Sequence, residues 1–123
     1  MRIDNGGVKM DNVVADKSKS FAIRIIKFYK YLCDEKKEFV LSKQILRSGT
    51  SIGANIRESK NAQSKADFIS KMNIALKEAD ETAYWIELLW ESEIIEKSQV
   101  IDLYELNTEL IKLLTAIIKS SKK

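Results

Sequence analysis

Seven side chains, Ile69, Met72, Leu76, Ala79, Ala83, Ile86 and Trp90, follow one another at steps of three and four residues without a break. This is the a/d pattern of a helix packed along other helices, and a strand, whose side chains alternate with a period of two, cannot present it as one face. Nothing nearby interrupts it: the 123 residues contain no proline and only four glycines. The spacing predicts a helix from about Lys65 to Glu91, opened by Ser64-x-x-Asp67, a capping box with Asp in place of the usual Glu. Phe68, Ala75, Thr82 and Leu89 widen the apolar arc. A single amphipathic helix is marginal in water, so this face has to be covered by other helices.

Three further segments supply them. Phe21, Ile25, Phe28 and Leu32 form a core stripe in a first helix read from about Ser18 to Asp34, with Ala22, Ile26, Tyr29 and Cys33 as a second stripe beside it. Asp16 or Ser18 is its N-cap, and residues 1–16 read as a flexible N-terminal tail. The last helix, about Lys97 to Lys119, turns Val100, Leu103, Tyr104, Asn107, Leu110, Ile111, Leu114, Ile117 and Ile118 inward. With a second helix from about Phe39 to Lys60, the expectation is an all-α chain, an antiparallel up-down four-helix bundle over residues 17–123.

The second helix carries an unusually small face. Ile45, Ser48, Ile52, Asn55 or Ile56, and Ser59 lie inward, and Gly49 and Gly53, four apart, project from one side. Two interior glycines cost a helix about 1 kcal/mol each relative to Ala, so they imply a kink or the close approach of another backbone. A loop built on S-G-T-S and G-A-N competes with both. Close packing is favoured, with Ala79 and Ala83 of the third helix able to receive the glycine face, and Asn55 needs hydrogen-bond partners if it is buried.

The run Gln44-Ile45-x-Arg47-Ser48-Gly49-Thr50-Ser51-Ile52-Gly53-Ala54-Asn55-Ile56-x-Glu58, followed by Phe68-Ile69-x-Lys71-Met72-x-Ile74-Ala75-Leu76-Lys77-Glu78-Ala79, resembles the signature of the small bacterial four-helix-bundle proteins encoded in intervening sequences of 23S ribosomal RNA genes. The similarity covers roughly Ser18 to Lys119. It implies the bundle fold and a homopentamer, and it implies no activity, because the family has none established. In fold the family resembles the accessory proteins of diversity-generating retroelements, basic pentameric barrels that associate with nucleic acid and a reverse transcriptase. The chain departs from the common pattern at Gly53, where relatives often have Pro, and at Ser59, where they often have Gly.

Catalytic chemistry finds little to work with. There is no histidine, which removes the usual base for a thiolate and the Glu-x-x-His pairs of bundle metal sites. Cys33 is the single cysteine and reads as a small hydrophobe. Glu78 and Glu81 could hold a cation, but Lys77 to Glu81 and Asp67 to Lys71 are ordinary surface pairs at helical spacing. No phosphate-cradling loop or nucleophile elbow is present, so the expectation is a protein without catalytic, cofactor or metal site. No apolar run reaches the about 18 residues that span a bilayer, and no signal-peptide core is visible, so no membrane partner and a cytoplasmic location are expected.

Charge is the informative remainder. The chain is only +3 overall, yet residues 17–60 hold eleven basic and four acidic side chains, a net of +7, against −3 for residues 61–123. Arg24, Lys27 and Lys30 lie opposite the apolar stripe of the first helix, and Arg47 and Arg57 add to the second. These five are the candidate contacts to RNA or DNA phosphates, and self-association would repeat them around an oligomer. The residues themselves indicate an oligomer of unknown order. The competing reading is a homo-oligomeric scaffold that recruits a protein partner through the excess apolar width of helices 1, 3 and 4. Trp85 and Trp90, five residues apart, point in different directions, and the one facing outward would anchor such an interface.

Overall fold

A computed structural model of the chain describes the backbone of residues 5–123 and the side chains from residue 12 onward. Four helices, α1 (Asn5–Asp34), α2 (Leu41–Ser59), α3 (Lys65–Glu91) and α4 (Ile101–Ser121), make up nearly all of it, and the described residues contain no strand. Each helix packs on two neighbours, α1 with α2, α2 with α3, α3 with α4 and α4 back on α1, closing a square. Cross-helix pairs fix every seam as antiparallel: Gly49 meets Ile25 and Gly53 meets Ser18 across α1 and α2, Glu58 meets Lys71 and Ser48 meets Thr82 across α2 and α3, Ala79 meets Asn107 and Glu87 meets Tyr104 across α3 and α4, and Lys17 meets Glu109 of α4 while Tyr31 meets Gln99 just before it. The core runs the length of the square, from Val14, Ile56 and Met72 at one end to Leu32, Leu89, Ile95 and Val100 at the other.

α1 begins at Asn5, well before Ser18. The reason lies in the stripe itself. Val14 and Ser18 sit seven and three residues before Phe21, continuing its spacing of four and three, and both are buried. Ser18 is thus an interior residue and not a cap, its hydroxyl donating to the Ala15 carbonyl at 3.0 Å. Of the expected tail, residues 1–4 lie outside the described residues.

The glycine face of α2 receives α1, not the alanines of α3. A Cβ added at Gly49 would lie 2.8 to 3.0 Å from three side-chain carbons of Ile25, and one at Gly53 would lie 3.3 Å from the Ser18 hydroxyl. The helix runs unbroken through both positions, so close approach replaces the kink. Ala79 instead offers its carbonyl to Asn107 Nδ2 of α4 at 2.9 Å, in a fully buried contact that fixes the α3–α4 register. Across α2 and α3 the buried hydroxyl of Thr82 donates to that of Ser48 at 2.8 Å. Asn55 is half-buried and turns back on its own helix, donating to the Ser51 carbonyl at 2.8 Å, so it makes no cross-core bond.

The turns use charged residues where glycine is commoner. Lys37 lies in the left-handed region with φ 55°, and after it Glu38 takes the start of α2, accepting from the amides of Val40, Leu41 and Ser42 at 3.2, 3.0 and 2.7 Å. This is why α2 starts at Leu41 rather than at Phe39. α3 opens as the sequence indicates, Ser64 Oγ accepting from the Asp67 amide at 3.0 Å. It ends in a Schellman turn in which Glu93, φ 65°, holds the position glycine usually fills. Lys97–Gln99 form a single 3-10 turn, so α4 itself starts at Ile101.

Candidate nucleic-acid interface

Along α1, successive steps of three residues carry Arg24, Lys27 and Lys30 progressively around the outer surface, because three residues fall short of a full 3.6-residue turn. All three are exposed, and none forms an ion pair with a described residue. Lys17, one turn earlier, is bound to Glu109 of α4 at 3.1 Å. Ile23 and Ile26, 48% and 41% exposed, lie among the three free cations, so the face is basic but not purely polar.

α2 contributes less than its arginine count indicates. Arg47 is turned towards α3, where its guanidinium bonds Glu78 at 3.1 Å and also pairs with Glu81. The Glu81 pair and that with Glu78 keep the Arg47 proton more firmly than usual. Burial pushes the Glu81 carboxyl up, but the Trp85 indole N–H, donating at 3.1 Å, and Arg47 together hold it below its ordinary 4.5. Neighbouring Glu58 is paired with Lys71. Arg57 remains exposed at the α1–α2 seam, one turn beyond Gly53, which faces Ser18. Ser18 and Lys30 are separated by about 18 Å along α1 at 1.5 Å per residue. The fold therefore brings Arg24, Lys27 and Lys30 together, leaves Arg57 near the other end of the bundle, and engages Arg47 in the α2–α3 seam.

Neither tryptophan projects fully into solvent. Trp85 is half-buried on Glu81, and Trp90 stacks edge-on with Tyr104, ring centroids 4.9 Å apart, with the Lys97 ammonium 5.2 Å from its ring. The Tyr104 hydroxyl donates to Glu87 at 2.5 Å, and that bond, with burial and the charges of Glu87 and Glu91, pushes its pKa up to about 12. The exposed aromatics are Phe39 and Tyr84, 53% and 54% accessible. A second helix begun at Phe39, as the sequence pattern suggests, hides this exposure. The available signal was register: Leu41 continues to Ile45, Ser48 and Ile52 at inward spacing, and Phe39 and Val40 do not.

A cleft of about 620 Å³ opens where α1, α2, α3 and α4 meet at one end, floored by Ile56, Phe68 and Met72 and rimmed by Lys60, Lys65 and Lys123, with no carboxylate among its described lining residues. It offers no acid and base pair. Among the described residues no group of three His, Cys, Asp or Glu side chains is placed to hold a metal, and no helix is long and apolar enough to cross a membrane. Cys33, half-buried at the α1–α2 seam, has its Sγ 3.8 Å from Ser42 Oγ.

Four antiparallel helices around one continuous core, with a basic first hairpin, define a small up-down-up-down four-helix-bundle protein. Within that class the family model of the 23S rRNA-intervening sequence proteins matches residues 10–116, and the chain belongs to that family. A solved structure from Bacteroides thetaiotaomicron, described as a protein with unknown function from the S23 ribosomal protein family, is 63% identical in sequence. The match covers 89% of this chain and 98% of that one, with a TM-score of 0.88. No functionally curated protein matches the chain.

Proposed function

We propose that this protein is a non-enzymatic, homo-oligomeric bundle of the cytoplasm that binds RNA or DNA through the outer face of α1, with Arg57 of α2 as an outlying contact. The observation that carries the reading is the difference between engaged and free cations. Lys17, Arg47 and Lys71 are paired with carboxylates inside the protomer, whereas Arg24, Lys27 and Lys30 are exposed and unpaired among the described residues. Free cations on one rigid helix suit phosphates, because each contact releases condensed counterions and the helix needs no reordering to make it. Arg47, one of the five residues the sequence nominated, is a secondary contributor here, since its charge is already matched by Glu78 and Glu81. The family match is to proteins encoded within rRNA genes, which is consistent with a nucleic-acid partner without requiring one.

The test is to replace Arg24, Lys27 and Lys30 together by Gln and to measure binding of labelled RNA and duplex DNA against salt. Loss of three phosphate contacts lowers the slope of log affinity against log salt by about 2 to 3. Arg47→Gln leaves both affinity and slope within about twofold of the parent. An unchanged slope in the triple variant overturns the assignment to α1. Exposed Ile23 and Ile26 favour a second reading, a scaffold that uses the same face to join protein, in which Ile23→Ser with Ile26→Ser alters assembly in sedimentation and leaves nucleic acid unbound throughout.

A further inference from the structure

Phosphate binding on α1 makes no use of the cleft at the end of the bundle. Val14, in its wall, lies about 20 Å along α1 from Lys27 at 1.5 Å per residue, so the two places are separate. The volume of about 620 Å³ is that of a small-molecule site. Val14, Ile56 and Met72 line the bottom but are 0%, 2% and 1% exposed, so no apolar trough lies open for an acyl chain. A ligand would instead touch the half-buried Phe68 ring, the exposed amides of Asn12 and Gln63, and the three lysines. Their charge is unmet. Lys65 donates to the Lys123 carbonyl at 2.9 Å, and neither it nor Lys60 nor Lys123 forms an ion pair with a described residue. The described acidic groups of this end are Glu58, paired with Lys71 at 3.1 Å, Asp67, which accepts from the Gln63 amide at 3.3 Å, and Asp16 of α1, and none of them lines the cleft. Residues 5–17, 57–67 and 117–123 together hold eight basic and four acidic side chains, a net of +4.

We propose that this cleft binds a nucleoside phosphate, the phosphate held between Lys60, Lys65 and Lys123 and the base laid against Phe68. A phosphate monoester carries about two negative charges at neutral pH and three acceptor oxygens, which suits several ammonium groups with no carboxylate among them to compete. The rest of the lining suits a base. An aromatic ring accepts the face of any base, and each primary amide offers both a donor and an acceptor, the pattern that a base edge presents in return. A fatty-acid anion would bring one charge and a chain with nowhere to lie, leaving both amides unmatched. The site does not depend on the reading of α1: a free nucleotide fits it, and so does the phosphorylated end of a strand.

The experiment titrates the full chain, nuclease-treated, with adenosine monophosphate by isothermal calorimetry, and repeats the titration with adenosine and with inorganic phosphate. Saturable binding of the nucleotide is expected, about tenfold or more tighter than that of either half. Lys60→Gln with Lys123→Gln is expected to weaken it about tenfold or more, through two lost charge-assisted contacts. Phe68→Leu, which keeps a large apolar side chain against the core, is expected to weaken it about tenfold through the lost stack. Thermal melts confirm that the variants fold. Replacement of Arg24, Lys27 and Lys30 by Gln is expected to leave nucleotide affinity within about twofold. No saturable binding, inorganic phosphate or adenosine bound as tightly as the nucleotide, or unchanged affinity in the two-lysine variant overturns the site. A loss in the α1 variant equal to that in the cleft variant overturns it too, by moving the anion to α1. A trinucleotide with and without a terminal phosphate tells the two sources apart. Tighter binding of the phosphorylated form supports the cleft as a holder of strand ends, and no difference between the forms, with the mononucleotide bound, supports it as a site for free nucleotide.

Discussion

Gly49 should tolerate a methyl group only if Ile25 is removed. An alanine Cβ at position 49 would meet Ile25 Cγ1, Cγ2 and Cδ1 at 2.8, 2.9 and 3.0 Å, and Ile25 is fully buried, so it has nowhere to swing. Two opposing effects follow. Alanine improves an interior helical position by about 1 kcal/mol over glycine. Forcing an extra carbon into a filled seam costs about 1 to 3 kcal/mol. The net for Gly49→Ala is a loss of about 1 kcal/mol, with the upper end of the packing range giving about 2. Gly53→Ala meets the Ser18 hydroxyl at 3.3 Å and its carbonyl oxygen at 3.4 Å, a milder conflict, and should be the more stable variant by about 1 kcal/mol. The decisive comparison is a double-mutant cycle. Ile25→Ala alone costs about 2 to 5 kcal/mol, but it deletes all three opposing carbons, so in that background Gly49→Ala becomes stabilising by about 1 kcal/mol. The coupling of about 2 kcal/mol lies well within what contacting residues show. Urea unfolding followed by circular dichroism at one fixed protomer concentration measures it. Gly49→Ala at least as stable as the parent, or equally costly with and without Ile25, refutes the tight α1–α2 seam.

Two further outcomes follow from the local chemistry. Glu81 is held below its ordinary 4.5, so its contribution is fully present above that value and is lost as pH falls through the depressed folded value. Glu81→Gln should therefore flatten the acid limb of a melting-temperature profile taken from about pH 7 to about pH 3, and an unchanged limb contradicts the Arg47–Glu81–Trp85 arrangement. Lys37→Gly should raise stability by about 0.5 to 1 kcal/mol, because relief of the left-handed backbone outweighs the added freedom of the unfolded chain. A destabilised Lys37→Gly in chemical denaturation argues against strain at the turn.

Elements set by local periodicity are the most legible in sequence. The seven heptad positions of the third helix mark it as a helix, but only Met72, Ala79 and Ile86 of them are fully buried: the innermost line runs through Ala75, Thr82 and Leu89 as well, and Ile69, Leu76, Ala83 and Trp90 lie half-buried on its flank. Ser64-x-x-Asp67 worked because a cap is a local contact. What failed was non-local or ambiguous. Ser18 suits both an N-cap and a small core position, and only the α1–α2 seam, where it faces Gly53, decides between them. The glycine pair signalled close approach but not which helix approaches, since the α2 face looks towards both α1 and α3. Arg47 read as a free cation because its partners, Glu78 and Glu81, lie more than thirty residues away. Ile52 and Ile56 flank the direction of Asn55, so spacing alone turns it inward, yet it lies at the edge of that arc and bonds its own helix. The free cations of α1 were legible for the opposite reason: their spacing opposite a clear stripe already put them in solvent.

The most direct test of nucleic-acid binding is fluorescence anisotropy of labelled structured RNA, single-stranded DNA and duplex DNA with nuclease-treated protein, titrated from about 50 to about 200 mM salt. The expected result is binding whose log affinity falls linearly with log salt, with a slope of about 2 to 3 from the three α1 cations. Failure to bind any of the three at the lowest salt, or binding that salt leaves unchanged, would contradict a phosphate-reading surface on α1.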